Sequence, residues 1–290
     1  MYDDGSNQNK VFLMFESFFH AILENPFLQN ALMAITLISI ISGIIGSLLV
    51  SNKIVFVGGG VAHCAYAGIG IALFYGFSLL LGSIISALFV AFSLAIVKKK
   101  FENHIDTFSA ILWALGMSVG VIFINLTPNA NADIESYLFG SLISVDSHLL
   151  WIIFLFNVIL CSFIALYYNE ILSISYDYEF CELKGLKVNL FMNIIFAFIA
   201  IGVILSMQIS GLILVLAMLS IPAYISNTFA KTLKTQMFFS SFLSCTFMVV
   251  GLFFAYQYNM SPGAMITLVG VICTLIIFCL RYIINIFYKG

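Results

Sequence analysis

The most constraining feature of this chain is a run of 39 residues, Gly59 to Val97, without one Asp, Glu, Lys or Arg. A bilayer core is about 30 Å thick and takes about 20 helical residues to cross. The run is therefore too long for one crossing and the right length for two. Only 24 of the 290 residues are charged (11 Lys and Arg, 13 Asp and Glu) and 62% are hydrophobic. A soluble globule of this size could not clothe its surface with so few charges. The expected fold class is all-α, a polytopic transmembrane helical bundle.

Runs bounded by charged residues predict about nine spans, within a range of eight to ten, starting near 31, 60, 79, 107, 148, 189, 209, 236 and 263. Two boundaries rest on length, one near Gly76 to Ser78 and one near Gln208 to Gly211. Nine spans put Lys53, Lys98, Lys99, Lys100, Lys184, Lys187, Lys231, Lys234, Arg281 and Lys289 on one side and only Lys10 on the other. Cytoplasmic loops carry the excess of positive charge, so we expect the N-terminus outside and the C-terminus in the cytoplasm. The loop 125–147, with Asp133, Glu135, Asp146 and no Lys or Arg, then faces outward. The start MYDDGSNQNK, with two acids before its Lys, is not the n-region of a cleaved signal peptide. Residues 1–30 are expected outside, with an interfacial amphipathic helix over 11–27. Residues 31–290 form the membrane domain.

Several functions are excluded. A net charge of −2 leaves no basic face for nucleic acid. The chain has no G-x-x-x-x-G-K-[ST] stretch, so it does not hydrolyse ATP through a P-loop of its own. Its six cysteines include no C-x-x-C pair, and five lie in apolar runs, which reads as small buried residues.

Away from the ends of the spans, the only ionisable group among His, Asp, Glu and Lys is His63, and such a group is a functional-site hypothesis by default. Two readings stand: a metal ligand, since imidazole coordinates without losing a proton at neutral pH, or a hydrogen bond to a neighbouring carbonyl. The absence of a buried carboxylate argues against proton-coupled carriage. Gly60, Cys64, Gly68 and Ala72 recur every four residues as a small-residue packing stripe. Gly58, Gly59 and Gly60 are expected to break or bend the start of this span. Asp106 is expected to cap the fourth span, and Pro222 to kink or stop the seventh.

The loop 169–188 is the longest on the lysine-rich side. Tyr176, Phe180 and Leu183 stand at i, i+4, i+7, which predicts one face of a short helix ended by Gly185 as its C′ residue. Its four acids, Glu170, Asp177, Glu179 and Glu182, outnumber two lysines, unlike a headgroup-binding helix, so docking to a protein is favoured.

At this point the chain resembles a family, the ABC-3 membrane permeases of ATP-binding-cassette importers for zinc, manganese and iron. The resemblance covers roughly 35 to 280 and rests on GGGVAHCAYAGIGIA, DTFSAILWALGMSVGVIF, ESYLFGSLISV, YDYEFCELKG and GLILVLAMLSIPA in that order. It implies a multi-pass subunit of the cell (inner) membrane that is not itself an enzyme. It also implies a homodimer, a cytoplasmic ATP-binding subunit and an extracytoplasmic metal-binding protein as partners. Glu179, Phe180, Glu182 and Gly185 look like the importers' coupling loop. His63 stands where the family has its Gly-Asp-x-x-x-His-x-x-x-x-Gly histidine, with Gly68 as the final glycine. Gly59 stands where that pattern has Asp. Losing a carboxylate disfavours manganese more than zinc, so zinc is the expected cargo, with manganese or iron as alternatives and no tightly bound cofactor. The competing reading is a channel or secondary carrier without an ATPase; a membrane subunit with no pathway is the third.

Overall fold

The computed structural model describes residues 16, 18, 20–101, 104–128, 140 and 145–289. The loop residues Asp133 and Glu135, and residues 11–15, 17 and 19 of the expected interfacial helix, lie outside them. The helices are α1 (Pro26–Ser51), α2 (Val55–Tyr75), α3 (Leu79–Lys100), α4 (Ile105–Leu126), α5 (Ser147–Leu166), α6 (Tyr168–Tyr176), α7 (Tyr178–Leu183), α8 (Val188–Phe229), α9 (Leu233–Tyr258) and α10 (Pro262–Lys289). Among the described residues there is no strand, and eight helices are long and apolar enough to cross a membrane.

Eight helices make nine passes because α8 folds back on itself. Gly211 has φ 77° and ψ 165°, outside helical space. Gly202, before it, packs on Ile41 and Ile45, while Leu219, after it, packs on Gly46 of the same helix. In a straight helix, 17 residues would hold those two points about 25 Å apart. The reversal also returns both ends of α8 to one end of the bundle. Val188 and Asn189 share a cleft with Lys98 to Lys100, and Asn227 and Lys231 share another with Lys53 and Lys98. Lys99 pairs with Glu182, and Arg281 lies over Phe229, at that same end. Phe18, by contrast, packs edge-on against Phe253 at the opposite end.

The core is built on α1 and the two limbs of α8, where Ile35, Ile38, Ile41, Ile45, Leu48, Phe196 and Ile199 are fully buried. Around it the peripheral helices turn apolar side chains outward, such as Phe89, Ile111, Trp151 and Phe238, which lipid or another subunit must cover. Gly68 and Gly82 let α2 and α3 meet backbone to backbone; a Cβ on either would strike the other's carbonyl.

Three local expectations are corrected. First, α2 is helical through Gly58, Gly59 and Gly60, because these glycines are used for close packing against Leu49, Leu216 and Ser109 and not for a bend. The break lies at Gly211, where positive φ requires glycine. Second, Pro222 does not stop α8, which runs seven residues beyond it. Membrane helices tolerate proline where neighbouring elements cover the backbone, and Pro222 is buried. Third, Asp106 lies in the first turn of α4, whose cap is His104, because the helix starts two residues earlier than expected. Its carboxylate still faces the positive end of the dipole.

Candidate functional site

His63 is the imidazole in the middle of α2, 8% exposed. The α2 helix is held close to α4 by small residues: Gly60 meets Ser109, Gly116 leaves room for Cys64, and Gly120 leaves room for Tyr66. Cys64 donates from Sγ to the Leu112 carbonyl at 2.8 Å, which satisfies the thiol within the helix pair. At this spacing the larger α4 side chains reach His63. The Trp113 indole stacks on the imidazole with ring centroids 3.9 Å apart and planes 15° from parallel. Met117 Sδ stands 3.4 Å from His63 Nδ1.

Trp113 also borders Gly59, where an added Cβ would lie 3.5 Å from its Cζ3 and 3.4 Å from Leu216 Cδ2. The side of His63 one helical turn toward the lysine-rich end is therefore bordered by apolar side chains. Among the described residues, no three His, Cys, Asp or Glu side chains are close enough to hold a metal ion together. The groups at His63 are one imidazole, one thioether and one indole face. Trp113 and Met117 were not singled out from the sequence. Their helix carries a small-residue stripe, Ser109, Gly116 and Gly120, that marks its packing face, but only the α2–α4 contact brings that face to His63.

The second region is the loop on the lysine-rich end. Asp177 breaks the expected single helix into α6 and α7, with extended φ −154° and ψ 96°, and its Oδ1 accepts the Phe180 amide at 2.9 Å as the cap of α7. Tyr176 thus belongs to α6, a correction to the single predicted face. The end is as expected: Gly185 has φ 82°, its amide donates to Glu182 O and Leu186 N–H donates to Cys181 O. That is a Schellman closure, which glycine suits at C′. Ile174, Cys181 and Val188 pack beneath the two helices. Above them Tyr176 is 85% exposed, Leu183 87% and Phe180 52%, so a row of large apolar side chains faces away from the bundle.

The loop is tied back to the spans. Glu182 Oε1 meets Lys99 Nζ at 3.3 Å, Lys98 Nζ donates to Asn52 Oδ1 at 3.3 Å, and Asn52 Nδ2 donates to Ser175 Oγ at 3.1 Å. Asn52 joins α1 to α2, so the same side chain links the loop to the helix that carries His63. Glu179 lines a polar cleft with Lys53 and Lys231.

Comparison with known proteins agrees with this architecture. Residues 24–281 match the model of the ABC 3 transport family. An uncharacterized membrane protein of Synechocystis sp. is 39% identical over 259 residues, 89% of this chain and 92% of that protein. A manganese transport system membrane protein of Listeria monocytogenes is 27% identical, covering 90% of this chain and 93% of its own. Among solved structures, a chain of PsaBC from Streptococcus pneumoniae in complex with Fab superimposes with a TM-score of 0.79 at 25% identity, over 90% of this chain and 94% of that one. The chain belongs to the ABC 3 transport family, the membrane permeases of metal ABC transporters.

Proposed function

We propose that this chain is the permease of an importer that carries a divalent metal ion into the cytoplasm, driven by ATP hydrolysis in a separate subunit docked on the α6–α7 loop. The lysine-rich end is then cytoplasmic and the N-terminus outside, as the positive-inside rule requires. Two copies flank the pathway, and an extracytoplasmic binding protein delivers the metal. No covalent chemistry is asked of this chain, so it is a transport subunit and not an enzyme.

The observation that carries the reading is His63, an imidazole held mid-span between Trp113 and Met117. An ionisable group at that depth is costly to keep, which makes it a functional-site hypothesis by default. Its neighbours favour zinc: imidazole and sulfur suit zinc, while manganese prefers carboxylate and water oxygens. Among the described residues no carboxylate lies mid-span. Manganese is the second reading, favoured by the relatives whose names state manganese transport. The exposed row Tyr176, Phe180 and Leu183 supports the ATPase contact, because apolar side chains at a cytoplasmic loop need a protein partner.

The test is uptake of radioactive zinc, manganese and iron by cells expressing this chain with and without a metal-importer ATP-binding subunit from the same genome. ATPase-dependent accumulation of zinc alone supports the reading. Accumulation of manganese alone moves it to the second. Accumulation independent of the ATPase would make the chain a channel or carrier.

A further inference from the structure

Apart from the metal path, α1, α5 and α9 enclose a groove of about 680 Å³ on the outside of the bundle. Its walls are apolar along most of its length, with Ile40 and Ile44 on α1, Ile164 on α5 and Phe238 on α9. One end is different. There Lys234 lies over the Tyr168 ring, its Nζ 4.2 Å from the centroid, and the Lys234 amide donates to Tyr168 Oη at 3.3 Å. Lys234 is the one charged residue lining the groove, and among the described residues no carboxylate pairs with it. In this it differs from Lys99, held by Glu182.

The depth of the groove is that of a leaflet. Gly43 packs on Ser241, Lys234 lies seven residues from Ser241 toward the lysine-rich end, and Thr36 lies seven residues from Gly43 the other way. The groove thus extends about 20 Å from its cation into the bilayer, against about 15 Å for half the hydrocarbon core. A Tyr–Lys pair at one end of an apolar slot places the cation at headgroup depth. Basic pockets between transmembrane helices on the cytoplasmic side attract anionic headgroups.

We propose that this groove is a binding site for an anionic phospholipid of the lysine-side leaflet, with its phosphate on Lys234 and one acyl chain along Ile40, Ile44, Ile164 and Phe238. The apolar walls hold the chain by packing and the unpaired ammonium selects the headgroup. The proposal does not rest on which metal the permease carries or on the ATPase contact.

The experiment uses the full chain, purified in detergent and delipidated, with dioleoyl phosphatidylglycerol, dioleoyl phosphatidylcholine or inorganic phosphate added, read by thermal shift and by native mass spectrometry. Phosphatidylglycerol is expected to remain bound and raise the melting temperature, phosphatidylcholine and phosphate to do neither. Lys234→Gln should weaken phosphatidylglycerol retention about fivefold, and Lys234→Arg should restore it. Ile44→Trp, which fills the groove and keeps the cation, should lower retention as well. Equal retention of both lipids, protection by phosphate alone, or an unchanged Lys234→Gln variant would overturn the proposal. Oxidative cross-linking of Cys161, which is exposed on the groove wall, between two copies would also overturn it by placing a second chain there.

Discussion

The Trp113 indole lies flat on the His63 imidazole, 3.9 Å between centroids, and the edge of the same indole borders Gly59. One α4 side chain thereby covers the one mid-span imidazole among the described residues and borders the position one turn away from it. A carboxylate on Gly59 would share that helix face with His63 at i, i+4, and Trp113 stands against it. This pairing accounts for how the chain accommodates glycine at a position where the resemblance implies aspartate.

Replacing His63 with Ala is expected to reduce metal uptake at least tenfold, in the range by which disturbed metal-site groups lower affinity or activity. Protein in the membrane should remain at wild-type level. Unchanged uptake, measured beside immunoblots of the membrane fraction, reduces His63 to a packing residue.

If the thioether contributes to ion choice, Met117→Leu should lower zinc uptake while leaving stability within about 1.5 kcal/mol, since the two side chains are close in volume. A competition assay, with labelled zinc against unlabelled manganese, separates the two effects. Equal competition before and after the substitution would leave Met117 without a role in selection.

Gly59→Asp is expected to impair uptake, because it sets a carboxylate between Trp113 and Leu216, which offer it no hydrogen bond. Combined with Trp113→Ala it should regain uptake and shift preference toward manganese, which a carboxylate suits. A double variant as inactive as the single one would sink this account of the α2–α4 pair.

At Gly211, φ 77° with ψ 165° is a conformation that side chains with a Cβ strongly avoid. Gly211→Ala should destabilise the protein by roughly 1–3 kcal/mol, seen as a lower melting temperature in detergent. Gly211→Asn should give no relief, because asparagine favours ψ near 45° at positive φ.

On the docking loop, Asp177→Ala removes the cap of α7 and should cost about 1 kcal/mol locally. The prediction is reduced stimulation of ATP turnover in the reconstituted complex, with Glu179→Lys acting the same way through charge. Lys99→Glu paired with Glu182→Lys should behave as wild type, as an exposed pair contributes at most about 1 kcal/mol. Full assembly and stimulation in both Asp177→Ala and Glu179→Lys would remove the loop from the ATPase contact.

The sequence carried the membrane architecture because a span is a matter of length and of where charge is absent. The division near Gln208 to Gly211, required by placing Lys231 and Lys234 with the other lysines, corresponds to the reversal at Gly211. The α7 terminus was legible as well, since only glycine readily takes the conformation of Gly185. Legibility ended where one residue type serves two purposes. The glycine run 58–60 weakens an isolated helix, yet here it makes one helix face narrow enough to pack. Pro222 breaks helices in water, and is kept within α8 by its neighbours in the bundle.

The order and number of the passes, the side holding the lysines and the presence of one imidazole within the spans were set by the sequence itself, because bilayer thickness and the cost of buried charge act on each segment separately. Which groups meet that imidazole was decided only by the tertiary structure. Trp113 and Met117 are fifty or more residues from His63 along the chain, and although the small residues Ser109, Gly116 and Gly120 mark the face of α4 that packs, nothing local to α4 says which helix it meets.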